Sequence, residues 1–173
     1  MKMKRLLTIA ILALAAAGMT VPGSAVGQSL PLPTPMVEEV LVKTSLLTFN
    51  DANLTGNYAV MHAKMAKPFR DKFGADALKQ AFKVFAGGHI DLIAAKPIVP
   101  TSEAKFNNNG WLMLRGYFDT APTRLNYELD FAVSEGEWKL INIDVKIKGQ
   151  STSDASGSIH LTQSATDFSA TGK

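Results

Sequence analysis

Apolar and polar residues alternate in three successive segments between Trp111 and Lys148. Such alternation places one set of side chains on each face of a β-strand. The apolar sets are Leu112, Leu114 and Phe118; Leu125, Tyr127, Leu129, Phe131 and Val133; and Ile141, Ile143, Val145 and Ile147. The pattern predicts an antiparallel meander that buries one face against a core and leaves a mixed face on the other side.

The turn between the last two strands determines which residues face each other. A two-residue turn at Glu135–Gly136 would pair Leu129 with Asn142 and mix the two faces. A three-residue loop, residues 135–137, pairs Leu129 with Ile143 and Phe131 with Ile141, so we expect this loop. The preceding hairpin closes through residues 119–122 and is expected to place Leu114 opposite Tyr127.

Before the meander, the apolar spacing is helical. A first helix is predicted over residues 36–50, after Pro35. A second runs from Tyr58 towards Ala66 and ends before Pro68, because proline lacks the N–H that continues a helix. A third covers residues 76–85, and short strands are expected in the regions 92–99 and 103–106. The prediction is an α+β domain with three N-terminal helices packed on one face of a curved antiparallel sheet.

The ends of the chain differ in composition from this domain. Residues 1–27 have the charged start, apolar stretch and small residues of a bacterial secretory signal peptide. The apolar stretch is well short of the ~20 residues of a membrane span, so we expect cleavage, no stable membrane insertion and a periplasmic or secreted protein. Residues 28–35 are a proline-rich linker, 36–148 the domain, and 149–173 a Ser/Thr/Gly-rich tail expected to be disordered.

Charge and cysteine content exclude several classes of function. The net charge of +3 comes from Lys2, Lys4 and Arg5, and without them the 18 basic residues fall to 15, equal to the 15 acidic ones. A balanced chain gives no support for nucleic-acid binding. The chain has no cysteine, which excludes disulfides, thiol chemistry and cysteine-bound metals. No metal-binding or phosphate-binding motif is present, so no cofactor is expected.

Together these features resemble the NTF2-like superfamily, the cystatin-like α+β cone. The resemblance rests on the segments Phe49–Tyr58, Pro68–Phe69, Leu78–Phe82 and Gly136–Leu140 with Ile143. It covers residues 36–148 and is strongest to small exported bacterial members. It implies a pocket between the helices and the concave sheet face. The superfamily contains isomerases, dehydratases and hydrolases as well as binding modules, so the resemblance leaves the activity open.

The pocket implied by this resemblance has an apolar wall. Its expected lining is Tyr58, His62, Leu114, Tyr127, Leu129 and Ile143. The concave strands offer no Asp or Glu as a general base, which favours a non-catalytic module that binds a small apolar ligand or an envelope partner. The alternative is an isomerase, dehydratase or hydrolase with His62 as the base and Tyr58 or Tyr127 as a hydrogen-bond donor to an oxyanion.

The opposite sheet face combines aromatic residues with charges. Aromatic and arginine side chains are typical of protein interfaces, and NTF2-like domains often dimerise through this face. We therefore expect a homodimer with an interface formed by Trp111, Met113, Arg115, Tyr117, Trp138 and Leu140. On the same face Glu128 is predicted to lie across from Asp144, with Arg115 and Lys146 near enough to compensate the repulsion.

Overall fold

The computed structural model describes residues 31–87, 90–121, 123–149 and 155–161. The predicted signal peptide lies outside these residues, so export remains a prediction. The described part is an α+β structure in which four helices precede a six-stranded antiparallel sheet. The predicted fold class is confirmed at this level, whereas assignment to the NTF2-like cone remains a proposal.

Helix α1 spans Pro35–Thr55 and is longer than expected. Proline at its first turn has a backbone angle already suited to a helix, and Gly56 ends the helix in the left-handed conformation with a φ of 65°. Residues Val42, Leu46 and Phe49 recur at helical spacing and are buried, each at most 1% exposed. This stripe directs α1 onto the sheet.

Three short helices follow: α2 at Ala59–Lys64, α3 at Lys67–Lys72 and α4 at Ala75–Ala81. The second predicted helix ends at Lys64, before the expected end near Ala66, and Pro68 lies in the first turn of α3, where proline is tolerated. The strand expected in the region 92–99 is mostly wrong. Asp91–Ala95 is a 3-10 helix, and strand β1 is limited to Val99–Pro100.

The remaining strands are β2 at Lys105–Phe106, β3 at Leu112–Asp119, β4 at Thr123–Ser134, β5 at Glu137–Gly149 and β6 at Ala155–Ile159. The sheet order is β1-β3-β4-β5-β6, and β2 also pairs with β3. Strand β6 corrects the expectation of a wholly disordered tail. It fits because Gly157, which has no side chain, lies against Phe82 and Phe85.

The hairpin of β3 and β4 differs from the predicted register by two residues. Leu114 pairs with Leu129, and Tyr127 pairs with Gly116 rather than with Leu114. A Cβ on residue 116 would collide with the Tyr127 hydroxyl group and lie 2.6 Å from the Val99 carbonyl oxygen, so the glycine makes room for the tyrosine. A shift of two residues leaves every side chain on its predicted face.

The hairpin of β4 and β5 contains a feature that the sequence prediction missed. Its turn has two residues, Glu135 and Gly136, both with positive φ, as in a type I′ turn. Leu129 nevertheless pairs with Ile143 as predicted, because the register shifts at a β-bulge next to Asp130. Phe131 pairs with Leu140 and not with Ile141, so the three-residue loop is wrong.

The bulge changes which alternate residues of β5 face the helices. Between the turn and the bulge, Trp138 pairs with Val133 and Leu140 pairs with Phe131. Because directly opposed residues share a face, Trp138 and Leu140 lie on the side of the sheet that packs against the helices. After the bulge, the same side is occupied by Ile143, Val145 and Ile147.

Candidate functional site

The centre of the helix–sheet interface, where the ligand pocket was expected, is filled by side chains. Leu129 and Ile143 are 0% exposed, and Leu114 is 4% exposed. The cavity that Leu114 and Tyr127 line with Glu38 and Ser102 has a volume of about 10 Å³. That is roughly the space of a single water molecule. Leu129 and Ile143 line neither this cavity nor the groove described below.

The two tyrosines of the predicted pocket are buried and protonated at neutral pH. The Tyr58 hydroxyl group donates a hydrogen bond to Oδ1 of Asn53 on α1, and burial raises the Tyr58 pKa to about 12. Burial also raises the Tyr127 pKa to about 12, with a further contribution from the negative charge of Glu38. The Tyr58 hydroxyl group is therefore engaged with α1, while Tyr127 faces the small cavity.

The His62 side chain is hydrogen-bonded to the backbone. Its Nε2 atom lies 2.7 Å from the backbone oxygen of Phe73, just after α3. A carbonyl oxygen accepts hydrogen bonds, so Nε2 carries the proton and donates it. The His62 N–H donates a backbone hydrogen bond to the Tyr58 carbonyl oxygen at 2.8 Å, but among the described residues no hydrogen bond joins the His62 side chain to the hydroxyl group of Tyr58 or Tyr127. The structure does not assemble the base and donor that the enzyme hypothesis requires.

The predicted dimer interface is divided between the two faces of the sheet. Met113, Arg115 and Tyr117 pair with Asp130, Glu128 and Asn126 and form the face directed away from the helices, with Trp111 in phase with them. Trp138 and Leu140 belong to the opposite face, so the expectation that all six residues share one face is wrong. The bulge is the cause, because it reverses the alternation of β5. Homodimerisation itself remains a prediction.

Charges of opposite sign form ion pairs on this outer face. Glu128 does pair with Asp144, as predicted. Arg115 forms ion pairs with Glu128, with 3.2 Å between Nε and Oε2, and with Asp130, with 2.6 Å between the guanidinium nitrogen and Oδ1. Lys146 lies 3.2 Å from the Asp144 carboxylate. The pairing is incomplete at Asp144, because its second oxygen, Oδ1, is buried with no hydrogen-bond partner in the described part of the chain.

A half-open groove of about 320 Å³ with a mainly apolar lining lies at the turn end of β4 and β5. We call it the distal groove. Helix α1 forms one wall, α2 with Met65 forms the second, and the strands next to the Glu135–Gly136 turn form its floor. Its lining residues are Val40, Leu41, Thr44, Ser45, Thr48, Met61, Ala63, Lys64, Met65, Phe131, Glu137, Trp138, Lys139 and Leu140.

Backbone contacts fix the helices to the floor of the distal groove. The N–H of Ala66 donates a hydrogen bond of 2.7 Å to the carbonyl oxygen of Leu140. This contact holds the link between α2 and α3 against the edge of β5, beside a bridge that joins Met65 to Leu140. The groove is thus built on two regular elements and a paired edge, which keep its walls in place.

Apolar side chains at the mouth of the distal groove are accessible to solvent. Val40 is 56% exposed and Phe106 is 40% exposed. The Phe106 ring stacks on Trp138, with 5.9 Å between centroids and 26° between planes. An apolar rim continuous with a concave surface is typical of a binding site.

The polar wall of the groove carries a hydrogen-bonded lysine. Lys64 Nζ donates to Thr48 Oγ1 at 2.9 Å, and that hydroxyl group donates to the Thr44 carbonyl oxygen at 2.8 Å. The second lysine of the lining, Lys139, is bound to Glu135, which Arg70 also contacts at 3.0 Å. Hydrogen bonds from Lys139 and Arg70 lower the Glu135 pKa.

Sequence reasoning noticed Trp138 but placed it on the wrong face. Two features of the sequence point to the correct arrangement. Glu135–Gly136 has glycine at a position that favours positive φ. Leu140 and Ile141 are adjacent apolar residues that interrupt the alternation, as expected where a bulge places two residues opposite one.

Other kinds of site are not supported. Within the described ranges no group of three or more His, Asp or Glu side chains is arranged to hold a metal ion. No helix in the same part of the chain is both long and apolar enough to cross a bilayer. Comparisons with protein-family models, curated proteins and solved structures find no match to this chain.

Proposed function

We propose that this protein is a non-catalytic binding module that holds a small apolar ligand in the distal groove. The observation that carries the proposal is the groove itself, a concave site of about 320 Å³ that contains Trp138 and opens beside exposed Val40. Its volume is at the lower end of the range found for small-molecule sites. A small molecule fits this shape better than a protein segment, which needs a longer surface.

The absence of a catalytic arrangement in the groove supports a binding role. Its lining has hydroxyl groups, two lysines and one carboxylate, that of Glu137, but no histidine, and His62 donates to a backbone oxygen elsewhere. The enzyme hypothesis needs its general base, His62, within reach of the substrate, and His62 does not line the groove. An enzyme with His62 as its base is therefore the weaker proposal.

The wider context of the proposal comes from the sequence. The composition of residues 1–27 favours export, and the order of helices before an antiparallel sheet is consistent with an NTF2-like domain. We place the ligand beyond the bulge and not in the cone interior, because the interior is filled by side chains such as Leu129 and Ile143.

Fluorescence of Trp138 tests the proposal. In a Trp111→Phe protein, Trp138 is the remaining tryptophan of the two, so its emission reports on the groove. Titration with octanol is expected to shift this emission to shorter wavelength and to saturate. A Trp138→Phe protein, which keeps Trp111 on the other sheet face, is expected to show no saturable change.

A pair of substitutions on α2 localises the binding. Ala63 lines the groove, whereas Val60 on the same helix is 60% exposed and does not. Ala63→Phe fills the groove and is expected to weaken octanol binding by about tenfold or more, the loss of roughly 1.4 kcal/mol of contact energy. Val60→Phe is expected to leave it unchanged. Equal effects of the two substitutions, or no saturable binding, would contradict the proposal.

A further inference from the structure

The two lysines of the distal groove differ in whether they form ion pairs. Of its two lysines, Lys139 is already paired with Glu135. No ion pair of Lys64 with an Asp or Glu occurs in the described part of the chain. The one carboxylate of the lining, Glu137, directly precedes Trp138 on β5. Successive strand side chains alternate between faces, so Glu137 falls on the same side of β5 as Lys139, and these two opposite charges border the groove from the strand while Lys64 borders it from α2.

A hydrogen bond directs the Lys64 side chain to the polar wall of the groove. The Thr48 hydroxyl group gives its proton to the Thr44 carbonyl oxygen, so its lone pair accepts from Lys64 Nζ at 2.9 Å. An ammonium group has three donors, and Thr48 accounts for one of them. The Lys64 ammonium group therefore has two further N–H donors at the polar wall. They lie beside an apolar floor formed by Phe131, Trp138 and Leu140.

We infer that the ligand of the distal groove is an amphipathic anion, with an apolar body over Trp138 and a carboxylate, or a comparable singly charged acceptor, at Lys64. This inference rests on the proposed function and specifies the class of ligand. Charge-assisted hydrogen bonds are shorter and stronger than neutral ones. The anionic group of such a ligand supplies the ion pair that the described carboxylates do not.

Three alkyl compounds with the same chain and different head groups test the inference: octanoate, octanol and octylamine, at neutral pH. Binding is followed by Trp138 emission in the Trp111→Phe protein. We expect octanoate to bind about tenfold more tightly than octanol, the ratio that corresponds to roughly one charge-assisted hydrogen bond. Octylamine, with the charge of Lys64, is expected to bind most weakly.

Lysine substitutions identify the residue responsible. Lys64→Gln is expected to remove the preference for octanoate while leaving octanol affinity within about twofold. Lys43→Gln is the matched control, because it makes the same charge change on α1 at a residue that pairs with Glu39 and does not line the groove. It is expected to preserve the preference.

The outcomes separate the inference from the proposed function. If none of the three compounds gives saturable binding, the proposed function fails. If octanol and octanoate bind equally, or if Lys64→Gln and Lys43→Gln reduce the preference to the same extent, the inference is wrong while the apolar groove remains a binding site. A tenfold preference that only Lys64→Gln removes supports both.

Discussion

The centre and the turn end of the helix–sheet interface are built from the same two layers, yet one is filled and the other is open. At the centre, the stripe Val42, Leu46 and Phe49 of α1 meets fully buried strand residues. At the turn end, the neighbouring stripe of the same helix has Thr44, Ser45 and Thr48 facing the groove. The short side chains of Thr44, Ser45 and Thr48 leave space at the turn end, whereas large side chains fill the centre.

The β-bulge contributes the second half of this difference. It lets Ile143 and Val145 fill the centre while Trp138 and Leu140 reach the helix side near the turn. Without a change of alternation, one of the two sets would face away from the helices. A single extra residue in β5 thus gives one strand two functions, a core surface on one side of the bulge and a groove floor on the other.

The largest expected difference between the two regions concerns stability. Ile143→Ala removes a side chain that is 0% exposed and should lower the free energy of unfolding by about 2–5 kcal/mol. Val40→Ala at the mouth of the groove, where the side chain is 56% exposed, should change it by about 0.5 kcal/mol or less. Urea unfolding measures both. Similar losses for the two variants would contradict the division into a filled and an open region.

A pH effect of intermediate size is expected from the buried tyrosines. Their pKa values are about 12 in the folded protein, above the value of about 10 in an unfolded chain. The raised pKa means that the folded state favours the protonated form. Its contribution is complete below pH ~10 and is lost as the pH rises towards ~12, by roughly 2–3 kcal/mol for each group.

Alkaline unfolding monitored together with tyrosine ionisation measures this effect. Tyr58→Phe and Tyr127→Phe should each reduce the decline in stability between pH ~10 and pH ~12. If both single variants lose stability over this range as steeply as the parent protein, the two hydroxyl groups are not in the buried environment described here.

A smaller destabilisation is expected from a substitution at Gly116, where β3 lies close to Tyr127 and to the backbone of Val99. Gly116→Ala places a Cβ against the Tyr127 hydroxyl group and 2.6 Å from the Val99 carbonyl oxygen, which should cost about 1–3 kcal/mol. Adding Tyr127→Phe should recover only part of this, because the contact with the backbone of Val99 persists. Thermal or urea unfolding of the single and double variants provides the comparison. A neutral Gly116→Ala would show that the centre has spare room.

The sequence predicted the elements better than their details. Alternation identified the long strands and the pairing of Leu129 with Ile143, because burial of one face constrains both. Alternation did not reveal that the hairpin combines a two-residue turn with a bulge. This combination pairs Leu129 with Ile143, as a three-residue loop would. Strand β6 was missed because Ala155–Ile159 has few large apolar residues, and its place depends on Gly157 fitting against Phe82.

The candidate site was less predictable than the fold. Alternation correctly predicts that the concave face is apolar. It does not reveal whether side chains of the helices fill the space against that face. His62 illustrates this limit, since its hydrogen bond to the Phe73 carbonyl oxygen depends on the path of the chain after Pro68. Trp138 was recognised as significant, and only the bulge determines its face.

Amide and indole NMR shifts during titration with octanoate test the central claim most directly. The claim is that the open turn end binds and that the filled centre does not. We predict saturable shifts of the Trp138 indole N–H and of the Val40 and Ala63 amides, with little change at Leu129 and Ile143. Shifts concentrated at Leu129, Ile143 and Tyr127 would place the ligand in the centre of the interface and contradict this account.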